Sequence, residues 1–187
     1  MRCLSCGLFS ISIFCKECKK TILKPNIRKH KIDDLEIYSF YRYSSISPLL
    51  QLKYKPEGYR VFKEFAKITL KEFIKEYQEE NIYIIGVDEK VKNGYSHTAV
   101  MTHQMKNKNT KILHSSLLAQ NNIQYAGKSR RYRQDNPRNF KYSGKKRDIS
   151  VILVDDIFTT GTTLLEAKNT LKKYNIEVDF ALVLADV

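Results

Sequence analysis

Hydrophobic positions in this chain follow two periods, and the places where one gives way to the other outline its elements. Residues 151 to 154, Val-Ile-Leu-Val, form an unbroken apolar run with three β-branched members, the pattern of a strand buried on both faces. From residue 164 the spacing becomes helical, with Leu164, Ala167, Leu171 and Tyr174 on one side. Two further apolar runs, residues 83 to 87 and 178 to 185, predict buried strands. Residues 36 to 43 alternate in a strand-like way through Ile37, Tyr38, Phe40, Tyr41 and Tyr43. Residues 59 to 77 predict one amphipathic helix with a core stripe of Phe62, Phe65, Ala66, Thr69, Phe73 and Tyr77. A helix over 96 to about 105 and a short strand near 111 to 113 come between. Residues 44 to 48 read as a turn, 49 to 55 as a short helix or strand, and the basic, polar stretch 19 to 34, with Pro25, as a linker. Strands alternating with helices predict an α/β fold with a mainly parallel sheet flanked by helices. There is no internal repeat.

At 187 residues the chain suits one medium domain plus a small appendage. We place a four-cysteine module and linker at 1–30 and the α/β domain at 35–187. No apolar run approaches the ~20 residues of a membrane helix, and the short patch from residue 8 to 14 lacks the length and cleavage site of a secretory signal. A cytoplasmic protein without membrane insertion is expected. The formal charge of +13 favours polyanionic partners, either nucleic acid or a pyrophosphate compound, although a lysine-rich proteome gives the same balance.

All four cysteines fall in the first eighteen residues, as Cys3-x-x-Cys6 and Cys15-x-x-Cys18. Paired knuckles of this spacing offer four thiolates to one tetrahedral zinc. A redox role for one CxxC does not explain two copies, and a reducing compartment argues against disulfides. With four sulfur ligands and no open position, the zinc is structural, and so small a module depends on it to fold.

The strand at 151 to 154 ends in two carboxylates, Asp155 and Asp156, followed by a turn of small residues, Thr159, Thr160, Gly161, Thr162 and Thr163, and then the helix. Ligands of open α/β sheets bind beyond the carboxyl ends of the strands. Gly161 permits close backbone approach, and the N–H groups and hydroxyls of the turn favour a phosphate. The acids repel phosphate and suit vicinal hydroxyls or a magnesium shell. A ribose 5-phosphate satisfies both ends.

The thirteen residues Val151-Ile152-Leu153-Val154-Asp155-Asp156-Ile157-Phe158-Thr159-Thr160-Gly161-Thr162-Thr163 resemble the phosphoribosyl pyrophosphate (PRPP) motif of type I phosphoribosyltransferases. The resemblance implies that Asp155 and Asp156 serve as the catalytic acids on the ribose hydroxyls, one through Mg2+, and that Thr159, Thr160, Gly161, Thr162 and Thr163 hold the 5-phosphate. Purine-salvage relatives carry an acid at the position of Thr159, which argues against a hypoxanthine-type enzyme here.

The order of pieces along the chain narrows the likeness. Four N-terminal cysteines, Leu52-Lys53-Tyr54, Gly94-Tyr95-Ser96-His97, a basic segment and then the PRPP motif resemble the ComF family of bacterial competence proteins. That resemblance implies a role in natural transformation, with incoming single-stranded DNA handled in the cytoplasm among DNA-uptake or helicase proteins; transfer chemistry is left open. The alternative is a nucleotide-salvage phosphoribosyltransferase with no DNA role. Where ComF members carry a Pro-Val-Pro-like turn, this chain has Gly86-Val87-Asp88-Glu89-Lys90. Asp88 and Glu89 are expected to repel pyrophosphate unless magnesium bridges them, with Lys90 and Lys92 compensating. A substrate contact is expected of His97 and a surface position of His103; His30 and His114 carry no signal.

Residues 127 to 147 hold nine Lys or Arg and one acid, Asp135, or +8 of the net +13. Lys128, Arg130, Arg131, Arg133 and Arg138 are the candidate contacts, interleaved with Tyr132, Phe140 and Tyr142. Three readings stand: a loop closing over the substrate, a single-strand track with stacking rings, and a solvated interaction segment.

Overall fold

The computed structural model describes every residue except 78, 89–90, 92–93 and 122–129. In chain order its elements are α1 (Lys16–Lys20), β1 (Arg28–Ile32), β2 (Leu35–Arg42), α2 (Tyr43–Leu50), a 3₁₀ turn (Gln51–Tyr54), α3 (Gly58–Ile68), α4 (Leu70–Glu76), β3 (Ile82–Gly86), α5 (His97–Gln104), β4 (Thr110–Ile112), β5 (Leu117–Ala119), α6 (Arg130–Asp135), β6 (Phe140–Tyr142), β7 (Ile149–Phe158), α7 (Thr162–Lys172) and β8 (Ile176–Asp186). Among the described residues no helix is long and apolar enough to cross a membrane.

The sheet runs β1-β2-β8-β7-β3-β4, and every pairing is parallel except that of β1 with β2. The expected α/β architecture with a mainly parallel sheet between helices is the one observed. Alternation along the strands divides the core into two. Ile152, Val154, Leu182 and Ile84 join α2 to α5 on one face. Val151, Leu153, Val183 and Ile85 face α7 and the small β5–β6 ribbon on the other. Strand β7 lies between β8 and β3, so it is enclosed along both edges and both faces.

Several local readings are corrected. Residues 28 to 32, expected to be linker, form a strand that pairs with β2, because the sheet offers that strand a free edge. The turn expected over 44 to 48 is the helix α2, Pro48 included; burial of Ile46, Leu49 and Leu50 outweighs the turn composition. The single helix expected over 59 to 77 is broken at Thr69 (φ −120°, ψ −83°), whose hydroxyl donates to the Phe65 carbonyl at 2.7 Å and competes with the helical ladder. In the basic stretch, Phe140 and Tyr142 point inward from β6 and belong to the core, so neither ring is exposed for stacking.

The cysteine-bearing segment packs on the same core as α3, with Phe14 and Phe65 ring centroids 5.5 Å apart. At the far corner, β1 is pinned to the last residue of β8. Arg28 donates to Asp186 through Nε (2.8 Å) and Nη2 (2.6 Å), Ser39 donates its hydroxyl at 2.9 Å, and the His30 ring lies 2.6 Å from the same carboxylate. His30, which gave no sequence signal, is thus part of the lock.

Burial alone would raise the Asp186 carboxyl, but the hydrogen bonds from Arg28, Ser39 and His30 outweigh it and hold the group at about 2, against an ordinary 3.8. A folded value below the unfolded one stabilises the protein above pH 3.8 and is lost as pH falls toward 2. We expect Asp186→Asn to lower neutral-pH stability by about 2 kcal/mol and to flatten the acid limb between about pH 4 and 2, read from urea midpoints across pH. Parallel acid limbs in both proteins would refute it.

Candidate functional site

The site lies at the carboxyl edge of the sheet, where β7 ends. Asp155 and Asp156 are the seventh and eighth residues of that strand, and both are buried. Their backbones still follow the ladder, with Asp155 opposite Val183 of β8. Being buried, they need partners. The Asp156 N–H donates to Asp155 Oδ1 at 2.8 Å. Lys53, in the 3₁₀ turn, places Nζ 2.7 Å from Asp156 Oδ2, and His97 Nε2 lies 3.5 Å from the same oxygen.

Burial pushes the Asp155 carboxyl well up from its ordinary value, and the adjacent Asp156 charge pushes it further. Burial acts upward on Asp156 too, but there the Lys53 ammonium and His97 prevail and hold it well below the usual carboxylate range. Two touching buried acids cannot both ionise cheaply, and here the lysine decides which one does.

Lys53 and His97 are themselves held. The Tyr95 hydroxyl is placed among the carbonyl oxygens of the 3₁₀ segment, 3.1 Å from that of Lys53 and 3.2 Å from that of Lys55. Gly58 makes room for this contact, since a Cβ there would lie 2.1 Å from the Leu52 carbonyl oxygen and 2.2 Å from the Tyr95 hydroxyl. His97 opens α5 just after its cap Ser96 and packs against Phe62 of α3, the ring centroids 5.3 Å apart and the planes tilted by 51°. The three separated pieces, Leu52-Lys53-Tyr54, Gly94-Tyr95-Ser96-His97 and Asp155-Asp156, therefore meet at one point. Sequence reading found each piece but gave no role to Lys53 or Tyr95. The available signal was a lysine closing the apolar run Leu49-Leu50-Gln51-Leu52.

Beyond the acids the chain turns through Thr159 and Thr160 to Gly161, which is left-handed (φ 72°) and caps α7. The left-handed backbone favours glycine here, and a Cβ at this position would press on the terminal methyl of Ile32, 2.0 Å away. The helix begins at Thr162, two residues earlier than the apolar pattern suggested. The Thr160 and Thr162 hydroxyls are 2.9 Å apart and border a groove of about 510 Å³ that also holds Glu166 and Lys173. The first N–H groups of α7 have no intrahelical acceptor, and with these hydroxyls they form an anion-favouring terminus.

The remaining candidate residues are placed differently. Asp88 is buried and its Oδ1 accepts the hydroxyls of Ser96 (2.6 Å) and Thr98 at the start of α5. Its carboxylate therefore supports the start of α5. Glu89, Lys90, Lys92 and Lys128 lie outside the described residues, as do the side chains of Arg130 and Arg133. Arg131 is exposed on α6. Arg138 is only 8% exposed, and its backbone N–H and that of Asn139 donate to Glu166 of α7, tying the middle of the basic stretch down. His103 is exposed, as expected.

The sulfur atoms of Cys3, Cys6, Cys15 and Cys18 all lie within 4.8 Å of one another, and none forms a disulfide. Cys6 and Cys15 sulfurs are 3.8 Å apart, close to the edge of a tetrahedron with zinc–sulfur bonds of about 2.3 Å. Backbone N–H groups of Cys15 and Cys18 point at the sulfurs of Cys3 (3.3 Å) and Cys15 (3.4 Å). The donor set fits a structural zinc.

The family described as Phosphoribosyl transferase domain matches residues 50–186. Similar solved structures include an adenine phosphoribosyltransferase (12% identity, 91% of this chain and 89% of that one, TM-score 0.42) and the adenine phosphoribosyltransferase of Leishmania tarentolae (13%, 88% and 85%, 0.42). Leishmania donovani UMP synthase also matches, at 18% identity over 74% of this chain and 24% of that one, with a TM-score of 0.41. The chain thus spans about a quarter of that synthase. No curated protein matches it.

Proposed function

The chain belongs to the phosphoribosyl transferase domain family, and from that premise we propose that it binds PRPP as a ComF-like protein of natural transformation. The observation that carries the ligand is the continuity of β7 into α7: two buried carboxylates at the strand end, then a left-handed glycine, then a hydroxyl-rich helix start. Asp155 and Asp156 take the ribose hydroxyls, and Thr159, Thr160, Gly161, Thr162 and Thr163 take the 5-phosphate. Phosphate at the acids would meet Asp156 ionised, whereas a diol can donate to it. The donor set tolerates magnesium best where the ligand brings oxygens of its own, at the pyrophosphate. Bound there, the ion would neutralise departing pyrophosphate.

If transfer occurs, this chain's residues position the ribose and stabilise positive charge developing at its reacting carbon. Asp156, kept ionised by Lys53, is the group that does so. Thr159 supplies no acid to assist a purine, which disfavours a hypoxanthine-type salvage enzyme.

The DNA part of the proposal is supported by charge. Arg131, Lys141, Lys145, Lys146 and Arg147 are all exposed along the basic stretch, and exposed cations of this density track a phosphate backbone. Arg138 is better read as a buried support than as a DNA contact. The Cys3, Cys6, Cys15 and Cys18 module carries structural zinc in this reading, and its packing on α3 makes that zinc part of the whole fold's stability.

Three outcomes are expected. Calorimetric titration with PRPP and magnesium gives saturable binding that weakens at least tenfold (about 1.4 kcal/mol) in Asp155→Asn, Asp156→Asn; unchanged binding would move the ligand elsewhere. Single-stranded DNA is captured in a salt-sensitive way, and Arg131→Gln with Lys141→Gln, Lys145→Gln and Lys146→Gln lowers the salt slope by roughly 3; an unaltered slope favours salvage. Atomic emission counts one zinc per chain, whose chelation unfolds the N-terminal segment; a metal-free, folded protein would exclude it.

A further inference from the structure

The ion pair at the acid end of the site carries an inference about how that end is neutralised, and it rests on reading the acids as the ribose end. We propose that Lys53 is the resident cation of Asp155 and Asp156: it holds the place at Asp156 that a divalent ion would take, so the ribose end is received without metal and magnesium acts only at the pyrophosphate end.

The geometry of the cluster is that of a candidate divalent site. Ligand atoms of His97, Asp155 and Asp156 all lie within 4.8 Å of one another. Magnesium needs an octahedral shell at about 2.0–2.1 Å and keeps several waters. Lys53 Nζ stands 2.7 Å from Asp156 Oδ2, in the volume that shell requires, and His97 Nε2 is 3.5 Å from the same oxygen. A dication entering there meets an ammonium within a few ångströms, in a pocket where water screens little.

Lys53 is built in. Its side chain is 17% exposed, and its ammonium lies between the Asp156 carboxylate and the Tyr54 ring, 5.4 Å from the ring centroid. Its backbone is anchored by Tyr95, from the segment that also brings His97. Removing the lysine charge would leave adjacent buried carboxylates without their nearest cation, and a metal would then be attracted to them.

The test uses the full-length, zinc-loaded chain and two probes. Manganese titration followed by electron paramagnetic resonance is expected to find no acid-dependent site in the native protein and one in Lys53→Met, at least tenfold tighter and abolished by adding Asp155→Asn and Asp156→Asn. Lys53→Arg keeps a cation and should exclude manganese like the native chain. In calorimetry, ribose 5-phosphate should bind the native protein with the same affinity, within about twofold, in chelator and in magnesium. Native manganese binding as tight as that of Lys53→Met, or ribose 5-phosphate binding only with magnesium, overturns the proposal. Should Lys53→Met fail to fold, both native measurements still decide it. Absence of ribose 5-phosphate binding under every condition refutes the ribose-phosphate reading instead, and manganese still decides the role of Lys53.

Discussion

Enclosure of β7 is the constraint on which the rest depends. The strand has neighbours on both edges and packed layers on both faces, so its apolar run can exist only at the middle of a sheet. The run does not stop before the acids. Asp155 and Asp156 are drawn in with it, and two carboxylates out of water demand cations and donors. Lys53, His97 and the backbone of Asp156 itself meet that demand. The 3₁₀ turn, the Tyr95 loop and the start of α5 bring these partners to the acids.

The arrangement divides the site by charge. At one end, Asp156, held well below the usual carboxylate range, sits beside a raised Asp155 and is paired with a lysine. At the other, Gly161 turns the chain so that the N-terminus of α7 and the Thr160 and Thr162 hydroxyls favour an anion. The two ends are separated by only a few residues of one strand–turn–helix unit. Asp88 has a structural use nearby: its carboxylate accepts the Ser96 and Thr98 hydroxyls and so supports the start of α5.

The periphery is tied to this centre more closely than composition implies. The cysteine segment buries Cys3, Phe14 and Cys18 in the same core as α3, the helix that carries Phe62, against which His97 packs. Strand β1 touches Gly161 through Ile32 and is locked to β8 by Asp186. The middle of the basic stretch is held on α7 by Glu166, and Lys141, Lys145 and Lys146 beyond it are exposed.

The fold class, the central strand, the acid pair and the glycine loop were legible in the sequence, because each is a local pattern: an apolar run, adjacent charges, a residue tolerant of positive φ. The cysteine spacing was legible for the same reason. Tertiary structure alone decided that residues 28 to 32 are a strand, that Phe140 and Tyr142 are core, and that Arg138 is buried, since each depends on an edge or face offered by distant residues. It also decided the partner of Asp156. Lys53 lies 103 residues away in sequence, and an ion pair at that separation is set by how two packed layers register, which no local pattern encodes.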